Sequence, residues 1–432
     1  MSSEWPTVRL GEHVEACLGK MLDAQKNKGT PQPYLGNSNV RWGQFDLTDL
    51  AEMRFEPHEE ERYSLLPGDL VVCEGGEPGR CAIWIGPAGM KVQKALHRIR
   101  PKGTLDNYYL FYWFQQAAKA GLLEPYFTGT TIKHLTGKAL AALEVPLPAI
   151  EVQRAMVDVL KQLDDRITLL RETNATLEAI AQALFKSWFV DLDPVRAKMA
   201  GRAPEGMDEA TAALFPDALE ETDLGLAPKG WLAGSVGDFA ELKKGTVNPG
   251  LQPETTFEHF SLPSFDDGQR PVTERGALIK SNKTPLHSNT VLLSKLNPHI
   301  PRVWLPVGCC ANAVCSTEFL VFQPTGVGSR EFVYCTFKSP DFIARLQQLV
   351  TGTSNSHQRI KPDQVALMRS VVPSLQAAKA FEAVVRPMFE RVHRNRGHAL
   401  TLANLRDTLL PRLISGQLRL PEAMATLEDA HA

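Results

Sequence analysis

Glu241-Leu-Lys243, with Asp223 upstream, has the residue types of a Mg²⁺-dependent nuclease core, where carboxylates hold the metal and a lysine assists the attacking water. The stretch that answers to it earlier in the chain, Glu15-Ala-Cys17, lacks the lysine, and such triplets are common. Cys309, Cys310 and Cys315 lack the paired spacing and nearby histidine of a zinc site, so small buried thiols are expected. No Gly-x4-Gly-Lys-Ser/Thr loop for a nucleotide is present, and Gly75-Gly-Glu-Pro-Gly79 has a proline and the wrong spacing for a dinucleotide fingerprint. The Asn/Asp-Pro-Pro-aromatic tetrapeptide of amino-methyltransferases is missing too: Leu192-Asp-Pro-Val195 and Leu296-Asn-Pro-His299 fall short of it. The expectation is a chain with no catalytic residue, no metal and no S-adenosylmethionine site of its own.

What remains is the chemistry of binding. Phosphates are met by Lys, Arg and small polar donors, and base edges by Arg, Lys, Asn and Gln with bidentate reach. The densest polar loop of the first half holds Lys26 and Lys28, then Asn37, Asn39 and Arg41, with Arg80, Lys133 and His134 as further candidates. In the second half the candidates are Ser281, Asn282 and Lys283, then Lys295, Asn297 and Arg302, then Ser354, Asn355, His357 and Arg359. Ordinary solvated loops are the competing reading for each residue.

The elements that must position these loops occur twice. Trp5-Pro-Thr-Val-Arg-Leu-Gly-Glu-His-Val-Glu15 reappears as Trp231-Leu-Ala-Gly-Ser-Val-Gly-Asp-Phe-Ala-Glu241, Thr128-Gly-Thr130 as Thr351-Gly-Thr353, and Val145-Pro-Leu-Pro148 as Ser370-Val-Val-Pro373. The offset stays between 221 and 226 residues. A period this long is no solenoid, so a duplicated unit of about 190 residues is expected. Each copy has short β-branched and aromatic runs between Gly, Pro and Asn turns, then a helix, then the Thr-Gly-Thr loop. The two loops diverge after that tripeptide, as two readers of different sequences on a shared scaffold would need.

Each copy ends in a long helical stretch. From Ala149 to Asp193 there is no Gly or Pro, which allows a helix of about 40 residues, roughly 60 Å. Met156, Leu160, Leu163, Ile167, Leu170, Asn174, Leu177, Ala181, Leu184 and Trp188 alternate steps of four and three, a heptad seam. Phe381, Val385, Met388, Val392, Asn395, Ala399, Leu402, Arg406, Leu409 and Leu413 continue the frame in the second copy. Pro387 and Gly397 weaken that copy, and a kink or a late start near Pro387 is expected. An antiparallel pair would set Asn174 beside Asn395, fixing register; two separately solvated amides are the alternative. Trp188 and Phe189 close the first helix and are placed to anchor a partner subunit or to pack on a domain.

The 432 residues carry 47 Lys+Arg against 49 Asp+Glu, a net charge of −2, with 43% hydrophobic and 22% charged residues. That composition excludes collagen-like, disordered and disulfide-scaffold classes. No run approaches ~18 apolar residues, so no membrane span is expected. The opening residues lack an apolar core for secretion, and seven cysteines fit reduced thiols in cytoplasm. Near-neutral charge means that contact with nucleic acid needs local patches or basic partners.

Val145-Pro-Leu-Pro-Ala-Ile-Glu-Val-Gln153, and the helix end Ala183-Leu-Phe-Lys-Ser-Trp-Phe-Val-Asp191, resemble the first spacer of type I restriction-modification specificity subunits. Leu409-Leu-Pro-Arg-Leu-Ile-Ser-Gly-Gln-Leu418 is similar to their C-terminal spacer, and Ser281–Pro298, Pro33–Gly43 and Glu74–Arg80 to pieces of their target-recognition domains. Gln376-Ala-Ala departs from the Glu-Gln pair common after the family's proline.

The resemblance implies a non-catalytic DNA reader of mixed α/β class. Two recognition domains (1–148 and 230–373) would flank an antiparallel coiled-coil spacer formed by helices 149–192 and 374–420, with a linker at 193–229 and a tail at 421–432. Each domain would read half of an asymmetric, double-stranded target, and the rod would set the gap between halves. Two methyltransferase subunits would dock on the helices and translocating restriction subunits would join, with S-adenosylmethionine, ATP and Mg²⁺ on those partners. A coiled-coil protein scaffold and a stand-alone metal-dependent nuclease or methyltransferase are the alternatives.

Overall fold

The structure, a computed structural model, describes residues 5–23, 27–351 and 358–423. They fall into two units: residues 1–169 with 398–432, and residues 170–397. Both mix strands and helices.

The first unit holds β1 (Thr7–Arg9), β2 (Val14–Leu18), β3 (Thr30–Leu35), β4 (Ala51–Phe55), β5 (Leu70–Cys73), β6 (Cys81–Ile83), β7 (Lys91–Val92) and β8 (Leu96–Pro101). Helix α1 (Asn107–Lys119), β9 (Glu144–Pro146) and the start of α2 (Ile150–Phe185) follow. Four strands form an antiparallel sheet in the order β2-β8-β5-β6, and three form a smaller sheet, β4-β3-β7, in which β3 and β7 run parallel. The apolar run of β5 is buried at all four positions, so it sits inside the sheet rather than at an edge. Leu35, Val71, Trp84 and Leu96 share one core cluster drawn from both sheets and the loops between them. Asp106 caps α1 by accepting from the backbone amides of Tyr108 and Tyr109. At the far end of the domain β9 returns to pair antiparallel with β1, immediately before α2 starts.

The second unit holds β10 (Leu232–Ser235), β11 (Ala240–Lys243), β12 (Thr256–Phe260), β13 (Val272–Arg275), β14 (Lys283–Pro285), β15 (Val291–Ser294), β16 (Val303–Trp304), β17 (Ala313–Ser316) and β18 (Phe319–Pro324). Helix α3 (Arg330–Lys338), β19 (Arg369–Val372) and α4 (Leu375–Ser415) complete it, the last helix ending in the first unit. Its antiparallel sheet runs β11-β18-β15-β16, its second sheet β13-β12-β17-β14 with β12 and β17 parallel, and β10 pairs with β19. Residues 193–229, expected as a linker with at most short helices, hold two such helices but also a hairpin, Leu219–Thr222 with Gly225–Pro228. They belong to the core: Phe215 is buried edge-on to Trp188 at 5.4 Å. An Ala- and acid-rich composition concealed that single aromatic anchor.

The late start expected at Pro387 is overturned, because α4 begins at Leu375 and is unbroken through Pro387 and Gly397. The proline lies on the exposed face, while Phe381, Val385 and Phe389 around it are buried. Packing of that face outweighs one lost backbone donor. The α-helical part of α2 ends at Phe185 and widens into a π-helical turn over Lys186–Val190.

Seam positions are buried in each unit. In the first these are Met156, Leu160, Leu163 and Ile167 of α2 with Ala399, Leu402, Leu409 and Leu413 of α4. In the second, Asn395 Nδ2 donates to Asn174 Oδ1 at 2.9 Å, with both residues buried. Phe185 meets Phe381 in the same unit, so α2 advances there as α4 retreats and the segments are antiparallel.

A carboxylate of α2 ties the domain helix down in each unit. In the first, Asp164 accepts from Tyr112 of α1 at 2.8 Å and from Arg406 of α4 at 2.6 Å, and Lys119 pairs with Asp407 at 2.9 Å. In the second, Glu178 accepts from Tyr334 of α3 at 3.1 Å, Lys338 at 2.8 Å and Arg396 of α4 at 2.8 Å. Burial alone would raise the Glu178 carboxyl, but Lys338, Arg396 and the Tyr334 hydroxyl hold it below the usual carboxylate range. Its contribution is therefore fully present above an ordinary glutamate pKa of about 4.3 and is lost as pH falls through the lower folded value. Urea unfolding of wild type and Glu178→Gln between neutral and acid pH checks this. The stability gap between them should shrink on acidification, and a constant gap would count against it.

Candidate nucleic-acid interface

Three loops of the first unit converge at one edge. Arg80 Nη2 donates to the Asn37 carbonyl at 3.0 Å, Trp42 Nε1 to Glu77 at 2.7 Å, and the Leu135 amide to the Glu74 carbonyl at 2.7 Å. Loop 128–134 is closed by reciprocal backbone bonds between Thr128 and His134. Gly75 faces the His134 ring, where a Cβ would come within 3.1 Å. Gly76 takes a left-handed φ of +72°, which favours glycine, and a Cβ there would push the Asn37 side-chain amide aside. Asn37, Arg41, Arg80, Lys133 and His134 are thus brought to one region. Lys28 is exposed but lies beyond the other end of β3, about 20 Å away by strand length. Lys26 lies outside the described residues.

The candidates differ in availability. Arg41, Lys133 and His134 are exposed. Lys133 lies 5.8 Å from the centre of the Phe127 ring, a cation–π contact that orients its ammonium. Asn39 is a correction: it is 8% exposed, and its side chain accepts from Gly36 and donates to the Asp46 and Asp49 carbonyls. It builds the loop rather than facing a ligand. Arg80 is mostly covered and paired with Glu77 at 3.0 Å, so it too serves first to hold the loops together. Tyr34 and Gln93, which the sequence does not single out, line with Asn37 and Ser38 an open groove of about 550 Å³. Tyr34 stands in a strand with alternating exposure, a pattern that gives no hint of a concavity.

In the second unit, Lys295, Asn297 and Arg359 are gathered by backbone bonds. Ile360 donates to the Lys295 carbonyl at 3.1 Å and Asn297 to the Gln358 carbonyl at 2.9 Å. Asn297 takes a left-handed φ of +51°, which asparagine tolerates better than most residues. The Arg359 guanidinium is exposed and makes two bonds to Glu318, at 3.2 and 3.1 Å, so its direction is fixed before any ligand arrives. Ser281 and Asn282 are exposed. Lys283 is a second correction: it is 6% exposed, and its ammonium donates to the Ser281 hydroxyl and carbonyl at 2.6 and 3.2 Å. Burial pushes that ammonium down from its ordinary value. Arg302, clamped bidentately by Asp266 at 2.7 and 2.9 Å with its side chain 12% exposed, is a third. Ser354, Asn355 and His357 lie outside the described residues.

Trp188 and Phe189, placed as possible partner anchors, are core instead. Trp188 is 7% exposed between Phe215 and Phe381, and Phe189 meets Phe332, Phe381 and Trp231. The nuclease-like residues are not assembled: Asp223 pairs with Arg369, and Glu241 with Lys243. Among the described residues no group of three or more His, Cys, Asp or Glu could hold a metal ion, and no helix is long and apolar enough to cross a membrane. Cys315 is buried, with its thiol pushed up to about 12 by desolvation, while Cys309 is half-buried and Cys310 exposed.

Residues 2–179 match the type I restriction modification DNA specificity domain. The type I restriction enzyme MjaIX specificity subunit of Methanocaldococcus jannaschii is 24% identical over 368 residues, covering 82% of this chain and 78% of the relative. Over most of its length the chain is thus similar to type I restriction enzyme specificity subunits. The type I restriction enzyme HindI specificity subunit of Haemophilus influenzae is 25% identical over 341 residues, 67% of this chain and 72% of the relative. The fold is similar to that of a type I restriction-modification S subunit from M. genitalium, with a TM-score of 0.53, 15% identity, and coverage of 95% of this chain and 96% of that one. That likeness of fold covers residues of both units.

Proposed function

We propose that this chain is the non-catalytic DNA sequence-recognition subunit of a type I restriction-modification complex, acting in the cytoplasm. Each unit carries one recognition domain, the two related by duplication, and each domain reads one half of a bipartite, asymmetric target. Helices α2 and α4 form an antiparallel coiled-coil spacer and dock two methyltransferase subunits, and restriction subunits join that assembly. S-adenosylmethionine, ATP and Mg²⁺ act on those partners. The observation that carries this reading is the strand order: β2-β8-β5-β6 in one unit and β11-β18-β15-β16 in the other are the same path, fitted with different polar loops. One scaffold with two unlike sets of loops suits two unlike half-sites. Readers on one face of a duplex stand about a helical turn apart, ~34 Å, which a stiff helical pair enforces.

Exchange of residues 1–148 for the equivalent domain of a relative, co-expressed with the methyltransferase partner, tests this. The cut keeps β1 with its partner β9. Methylated adenines mapped in host DNA should show one half-site replaced and the other kept. An unchanged target, or methylation by the chain alone, would refute the reading. The near-neutral charge supports weak DNA binding by the isolated chain, strengthened by its partners. Arg359→Ala is expected to weaken one half-site by about 1–3 kcal/mol through loss of a base contact. A uniform loss on all DNA with a shallower salt slope would mark a phosphate contact instead. Lys283→Ala, by contrast, should lower stability and leave the preference between half-sites as it was.

A further inference from the structure

We propose that Asp164 and Glu178 are positioning residues that fix the tilt of each recognition domain on the helices, and thereby the gap between half-sites that the complex accepts. The inference rests on the two-reader function above. Each carboxylate joins a tyrosine of the domain helix (Tyr112 of α1, Tyr334 of α3) to an arginine of α4 (Arg406, Arg396). Both acids come from α2 and both arginines from α4, so each join spans three helices. Apolar packing at these contacts is adhesive but has no direction, whereas a charge-assisted hydrogen bond does.

The joins differ in leverage. In the first unit Tyr112 and Lys119 make separate anchors, about 10 Å apart along α1, one to each long helix. Two anchors fix an angle. In the second unit Tyr334 and Lys338 converge on the single carboxylate of Glu178, and the other tie of α3 to α4, Glu331 with Arg386, is longer at 4.0 Å, so the tilt rests mainly on one group. A domain of this size has a radius of gyration of about 14 Å. At that arm a tilt of about 14° shifts the reading edge by one base-pair rise, ~3.4 Å. Loss of a single join is therefore enough to blur the gap by a base pair, and Glu178 is the more sensitive of the two.

The test uses the complex with its methyltransferase partner and the target mapped from methylated adenines. Binding is titrated on duplexes with the native gap and with one base pair added or removed. Wild type is expected to prefer the native gap by about tenfold or more. Glu178→Gln should narrow that preference about fivefold, and Glu178→Asp, which keeps a carboxylate to accept from Tyr334 and Lys338, should retain part of it. Tyr334→Phe, which removes one hydroxyl, decides the matter if Glu178→Gln fails to fold. A gap preference equal to wild type in a folded variant would overturn the positioning role. A wild-type complex indifferent to the gap would overturn the two-reader function itself.

Discussion

Trp188→Ala is expected to destabilise the second unit by about 3–5 kcal/mol, the range for emptying a large aromatic site in a core. The indole packs edge-on to Phe215 at 5.4 Å and to Phe381 at 5.9 Å, and Phe189 beside it meets Phe332 at 5.1 Å. Three stretches of chain therefore lose contacts together: the end of α2, the segment after it, and the start of α4. Domains of ordinary stability hold only about 5–15 kcal/mol, so the loss is a large fraction of the total. Chemical unfolding followed by near-UV circular dichroism measures it directly. The same experiment separates the two roles the sequence leaves open for this tryptophan. An anchor for a partner would leave unfolding within about 0.5 kcal/mol of wild type and abolish assembly.

The Asn174–Asn395 pair should respond in opposite ways to single and double replacement. Asn395→Ala leaves the Asn174 amide buried without its 2.9 Å partner, at a cost of about 1–3 kcal/mol. Replacing both with leucine removes two buried polar groups at once, and stability should recover to wild type or above. Specificity is then what is lost, because a uniform leucine layer no longer distinguishes one heptad register from the next. Cysteines placed at seam positions one heptad out of step should cross-link in the double variant and not in wild type. Cross-linking in neither protein would show that register is set elsewhere.

Periodic features were legible in the sequence and singular ones were not. The four-three spacing located the seam, and the heptad frame placed Asn174 opposite Asn395 from residues 221 positions apart. Periodicity needs no knowledge of the fold. The site residues follow no period, and their partners are not marked by spacing: Lys283 turns back to Ser281 two residues earlier, while Arg302 is held by Asp266 and Arg359 is aimed by Glu318, both remote in sequence. A lone cation in a polar loop reads as solvated whether or not a carboxylate waits 36 residues away. Likewise Pro387 carries a correct local penalty, but the buried face of Phe381, Val385 and Phe389 overrides it, and that face is a tertiary fact. Trp188 satisfied the seam spacing, yet only the fold reveals that Phe215 closes over it.

In each unit the first strand of the domain pairs with the last, β1 with β9 and β10 with β19, directly ahead of a long helix. Paired strands lie about 4.8 Å apart, so the polypeptide leaves each domain beside the point where it came in. Such a module can be exchanged between genes as a cassette, its hydrogen-bonded seal travelling with it and the helices undisturbed. On the two-reader function proposed above, a lineage equipped this way would acquire new target sequences by recombination at two neighbouring joints, with no need to refashion a core.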